Sequence, residues 1–100
     1  MDNLKIQTKE NNMKKLNDYA YGLIQAKIAD LEVAHYCREL KLNHIKELLD
    51  LNRKNRSGDK RQEEEIERLI DEQFTIDTAQ QEIEAKLDKY REILEESDKL

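Results

Sequence analysis

The chain lacks proline and tryptophan, and it has one phenylalanine, one cysteine and two glycines in 100 residues. Each scarcity excludes something. With no proline, and only Gly22 and Gly58 as flexible points, almost nothing interrupts a helix. A single cysteine, Cys37, forms no intramolecular disulfide and implies no oxidising compartment. The N-terminus has no apolar run long enough for a signal peptide, and no segment reaches membrane-spanning length. The expectation is a cytoplasmic protein with no membrane partner. So few aromatics beside 41% charged residues approaches the composition of disordered chains. A sustained apolar period argues instead for a long helix or coiled coil.

That period is clearest from Gln62 to Ser97. Ile66, Gln73, Gln80, Leu87 and Leu94 fall at one seam position, and Leu69, Ile76, Ile83 and Tyr90 at the other. The steps alternate between three and four residues without a slip, which keeps one stripe of a helix facing a partner helix. The first half of the chain is the expected partner. From Met13 to about Arg53 only Gly22 interrupts, and the apolar residues make two stripes. One runs Tyr21, Ile24, Ile28, Leu31, His35, Arg38, Leu42, Ile45, Leu49. The other runs Tyr19, Leu23, Ala26, Val33, Cys37, Leu40, Leu48, Leu51, interrupted by Asp30 and His44. Taken as adjacent, the two form a broad apolar face that one hairpin partner cannot cover.

The expected fold is therefore all-α: a lead-in over about residues 1–11, a helix over about 12–54, a turn at about 55–59 and a helix over about 60–97. Asn11 or Asn12 is the candidate first cap. Gly58 suits a left-handed turn, and Asp59 with Gln62 suits a capping box. Two weak points stand out, Gly22 and the Phe74–Thr78 stretch, where a third helix starting near Asp77 is the alternative. Phe74, off the seam, is expected to reach sideways to the first helix or to a second subunit. Two hairpins pairing into a homodimeric four-helix bundle would bury both stripes. The expected oligomer core is Leu23, Ile24, Ile28, Leu31, Ile66, Leu69, Ile76, Ile83, Leu87, Tyr90 and Leu94.

Charge divides unevenly. Residues 1–58 carry eleven Lys and Arg against eight Asp and Glu, while residues 59–100 carry seven against fifteen. Antiparallel packing brings these opposite balances together, which favours register more than it adds stability. The basic residues Arg53, Lys54, Arg56, Lys60 and Arg61 cluster at the hairpin tip, with Asp59 alone opposing them. The cluster is a candidate surface for phosphate or an acidic protein, although basic residues also end helices because the macrodipole prefers them there. A net charge of −5 without interleaved aromatics argues against general nucleic-acid affinity.

Candidates for chemistry are sparse. Glu32 and His35 have the Glu-x-x-His spacing of di-metal helical sites, but such sites need a second pair and further carboxylates, and the second half has no histidine. A polar interruption that fixes register is the expected role. His44 with Glu47 reads as an ordinary surface pair, and Cys37, on an apolar stripe, reads as a small buried hydrophobe. Glu63, Glu64, Glu65, Glu67, Asp71 and Glu72 read as a solvated face rather than a Mg²⁺ cluster. Gln73 and Gln80, consecutive at one seam position, are expected to fix register; the alternative is a seam that opens for a partner. No metal, cofactor or catalytic residue is expected.

Ala29-Asp30-Leu31-Glu32, then Ile45-Lys46-Glu47-Leu48-Leu49-Asp50 and a long helix, resembles the C-terminal half of MerR-type transcription regulators. The gap between the segments is shorter than in that family, and its N-terminal DNA-reading domain is missing, so no residue or activity is carried over. The expected function is non-enzymatic: a small regulator, inhibitor or adaptor, of the kind phages and mobile elements encode, that binds another macromolecule, a protein partner above all. The alternatives are a nucleic-acid accessory protein gripping phosphate through the tip, and a metal-dependent helical enzyme using Glu32 and His35.

Overall fold

The computed structural model describes residues 15–100, which form two helices, α1 (Asp18–Lys54) and α2 (Lys60–Lys99). They fold back on each other as one extended antiparallel hairpin, 71 Å long and 26 by 17 Å across. No strand occurs among the described residues. The hairpin and the position of its turn are those the periodicity predicts.

The first cap differs. Asn11, Asn12 and the lead-in lie outside the described residues, and α1 starts at Asp18 rather than near residue 12. The cap is Asn17, whose Oδ1 accepts the Ala20 N–H at 2.8 Å and satisfies an otherwise orphaned donor. Just before it, the Leu16 N–H donates to Ser97 Oγ at 2.9 Å, tying the entry of α1 to the end of α2. Ser97 is buried by that contact.

Neither weak point breaks a helix. Gly22 is ordinary helix, because one glycine costs only about 1 kcal/mol and the rest of α1 outweighs it. In α2 the Thr75 and Thr78 hydroxyls donate to the carbonyls of Asp71 and Phe74, each at 3.0 Å. Their polar groups are served inside the helix, so the third-helix alternative does not occur. Phe74 does not reach α1 either; it is 73% exposed.

The turn is organised by Gln62. Its Oε1 accepts the backbone N–H of Ser57 at 2.8 Å, and its Nε2 donates to the Asn55 carbonyl at 3.1 Å. Gln62 thus closes the turn instead of reaching back to Asp59, as a capping box would require. Asp59 is the N-cap of α2, accepting the Arg61 N–H. Gly58 is left-handed, with φ +81°, but α1 has already ended three residues earlier, where the Asn55 N–H and Nδ2 both bond the Leu51 carbonyl.

Packing explains the core. Leu42, Ile45 and Leu49 of α1 meet Ile66, Leu69 and Ile76 of α2 in one buried cluster beside the turn. Ile83 and Leu87, farther along α2, are buried outside that cluster. Toward the open end Ile24, Ile28, Leu31, Tyr90 and Leu94 are only half-buried. All of these belong to the seam, where each helix hides one stripe against the other.

The second stripe of α1 is not adjacent to the first. With the seam residues at heptad positions a and d, the second stripe falls at c and f, about 150° around the helix, except Leu48, which falls at g and packs half-buried against the core. Tyr19, Leu23, Val33, Leu40 and Leu51 are each more than half exposed. Leu23 thus stands apart from the other ten expected core residues. Cys37 is exposed on the same outer face, not buried.

The glycines give a test. A Cβ at Gly22 meets nothing within 4 Å, so Gly22→Ala should stabilise the protein by about 1 kcal/mol. Gly58→Ala should destabilise it by about 1–2 kcal/mol, the cost of a left-handed alanine. Chemical denaturation of the two variants measures both signs.

Candidate functional site

The described residues hold no enclosed cleft lined by paired catalytic groups, and the side chains that stand out lie on surfaces. The largest is the outer face of α1. Its c and f positions, Tyr19, Leu23, Ala26, Asp30, Val33, Cys37, Leu40, His44, Glu47 and Leu51, keep the three-four alternation over the full helix. This is the spacing of a second seam. Asp30 and His44 interrupt it, seven residues to either side of Cys37. All of these positions are exposed.

The seam toward α2 is polar at its middle. Gln80 is buried, and its Nε2 donates to the His35 carbonyl at 2.9 Å. Its Oε1 is buried without a hydrogen-bond partner among the described residues. His35 Nε2 lies 3.0 Å from Glu84 Oε1, and Nδ1 lies 3.9 Å from a Glu39 oxygen. Glu32 turns away from His35 and accepts from Arg91 at 3.0 Å. The Glu-x-x-His pair is therefore split between two cross-seam contacts beside an open depression of about 340 Å³. No group of three metal-ligating side chains occurs among the described residues.

Those partners were not singled out in the sequence. The signal for them is heptad position: Glu32 and Arg91 both flank the seam at e, and antiparallel packing brings e against e. Gln73, the other polar seam residue, is half-buried.

At the hairpin tip the basic cluster is partly neutralised. Arg56 makes a bidentate pair with Glu63, at 2.9 and 2.8 Å, and this hydrogen-bonded carboxylate raises the guanidinium's already high pKa. Lys54 pairs with Asp50 at 3.0 Å. Arg53, Lys60 and Arg61 are exposed and make no ion pair among the described residues. Within the acidic run, Arg68 hydrogen-bonds Glu65, which lowers that carboxyl's pKa, and also bonds Glu72 at 3.0 Å. Glu72 bonds Lys41 of α1 at 3.2 Å as well. Glu64, Glu67 and Asp71 are exposed.

At the open end Tyr21 donates its hydroxyl to Asp98 at 3.0 Å, and this hydrogen bond to a carboxylate raises the phenol's pKa.

No protein-family model matches the chain, and no characterised protein or solved structure matches it.

Two outcomes follow from these contacts. Gln80→Leu removes a partnerless buried acceptor and gives up one bond to a carbonyl that already serves α1. It should leave stability unchanged or raise it by up to about 1 kcal/mol, whereas Gln80→Ala, which leaves a gap, should lose about 2 kcal/mol; urea denaturation separates them. For Tyr21, the neutral phenol is the form held in the folded state. Its contact with Asp98 therefore contributes below the ordinary value of 10.0 and is lost as pH rises through the raised value. In an ultraviolet titration Tyr21 should ionise above pH 10, and Asp98→Ala should bring it back.

Proposed function

We propose that this protein is non-enzymatic and acts by binding another macromolecule, as a small regulator, inhibitor or adaptor that works as a homodimer of hairpins. The observation that carries this reading is the outer face of α1, where Tyr19, Leu23, Val33, Leu40 and Leu51 stand exposed in one heptad-spaced line. Isolated exposed apolar residues are ordinary; a contiguous line of them is how an association surface looks. From Tyr19 to Leu51 that line is about 48 Å long.

Light scattering at micromolar concentration tests the reading. The wild type should give about twice the chain mass of 12.0 kDa. The double variant Leu23→Glu, Leu40→Glu should give the chain mass with its helix content retained. A wild-type monomer overturns the dimer.

A second reading rests on Arg53, Lys60 and Arg61, the three tip cations left without a carboxylate partner among the described residues. They suit the phosphate backbone of a nucleic acid. Replacing the three with glutamate should abolish salt-sensitive binding, and absence of any gel shift at low salt removes this reading.

A further inference from the structure

We propose that the outer face of α1 is covered by the same face of a second copy running antiparallel, with Cys37 near the two-fold axis, so that the four helices lie in a row, α2–α1–α1–α2. The inference rests on the homodimer reading and adds its surface, direction and shape.

Three observations lead there. The first is the angle between the two stripes. The c and f positions lie about 150° from the seam, so a partner seated on them stands across α1 from α2. In a compact square bundle the two contact faces of each helix are about 90° apart. A row fits the exposure of this face, because the outer residues Tyr19 and Val33 are 77% and 63% exposed and take no cover from α2.

The second is area. A strip about 48 Å long and one helix wide, about 10 Å, projects on the order of 480 Å². Side chains corrugate that strip, so its accessible area exceeds the projection and approaches the roughly 800 Å² per partner of an ordinary stable interface. The face is thus large enough for a second copy to occupy by itself.

The third is the placement of charge, which sets the direction. Parallel pairing in register stacks Asp30 on its mate, Glu47 on its mate, and the tip cations Arg53, Lys60 and Arg61 of one copy beside those of the other. Antiparallel pairing avoids all three. The apolar limits of the face are Tyr19 and Leu51, and matching each to the other places the axis at residue 35. Each Asp30 then lies one helical turn from the partner's His44, whose ring N–H is a donor for the carboxylate. Ala26 comes level with the same histidine and leaves it room. The basic tip of one copy comes beside the other copy's open end, where Asp18, Glu92, Glu95, Glu96 and Asp98 are exposed or half-buried.

Spin labels read the arrangement in the full chain. A label on the native Cys37 should report roughly 10–20 Å to its mate. A label on Lys60→Cys in a Cys37→Ser background should report about 60–70 Å, since each tip lies about 28 Å along α1 from the axis and the two α2 helices stand about three helix spacings apart. A tip-to-tip distance within about 40 Å, the width of the row, means parallel helices and overturns this inference while leaving the homodimer standing. A long Cys37 distance means that another face pairs, and overturns it too. No dipolar coupling together with a monomer mass overturns both readings.

The charge pattern has its own readout. Asp30→Lys should weaken dimerisation at least about tenfold, and adding His44→Asp should recover most of that loss. Loss without recovery overturns the cross-pairing of the two residues. Circular dichroism confirms in each case that the helices remain.

Discussion

Two helices in contact share one line, and each hides only the stripe that faces the other. α2 has one such stripe and α1 has two, so the hairpin is a complete home for α2 but covers only one side of α1. The small size of the core follows. Among the described residues eight apolar side chains are buried, six of them in the cluster beside the turn. There the turn holds the helices together, and Gln62, Asn55 and the Arg56–Glu63 pair hold the turn. Farther out, the seam residues are half-buried, and what closes the end is polar: Leu16 to Ser97, and Tyr21 to Asp98.

A hairpin with so few buried side chains has little to fix its register, and the middle of the seam supplies it. Gln80 and His35 contribute almost nothing apolar, and Gln80 keeps one buried oxygen without a partner among the described residues. What they provide is a match that a slipped pairing loses: Gln80 to the His35 carbonyl, and His35 to Glu84. Polar groups in a helical seam are best attested in this role. The opposite charge balances of the two halves add less than their totals imply. Lys41–Glu72 and Glu32–Arg91 do cross between the helices. Lys54–Asp50, Arg68–Glu65 and Lys99–Glu96 stay within one helix, where the spacing of three or four residues already places partners side by side.

Most of the architecture was legible because heptad spacing and the absence of breakers are local properties. Ile66 to Leu94 keep their register through Phe74–Thr78, and α2 is unbroken there for the same reason. Three things were not legible. The angle between the α1 stripes was misjudged as adjacency, since a list of apolar residues hides whether they fall at e and g, beside the seam, or at c and f, behind it. Cys37 was placed inside on the strength of its stripe, and it lies outside because that stripe does. The start of α1 was set too early, because Asn17 resembles any other polar residue until its side chain is found on the Ala20 N–H. The tip cluster was visible as charge, but its strength was not, since Glu63 and Asp50 neutralise two of the five cations through contacts that composition cannot assign.

The constraint that limits the core also links folding to assembly. In the proposed dimer, a second copy on the outer face of α1 would stabilise the folded chain by mass action, in addition to whatever the hairpin's own contacts supply. α1 then has apolar neighbours on both sides, and α2 is left as the solvent-facing element. This accords with their charges, because α2 carries fourteen of the chain's acidic residues and α1 six. The acidic helix needs only one apolar neighbour, and the less charged helix has a use for two. In an antiparallel pair the tip cations Arg53, Lys60 and Arg61 stay at the two far ends. Each tip there lies beside the other copy's acidic open end, so self-association and recognition of a negatively charged partner would draw on the same cations.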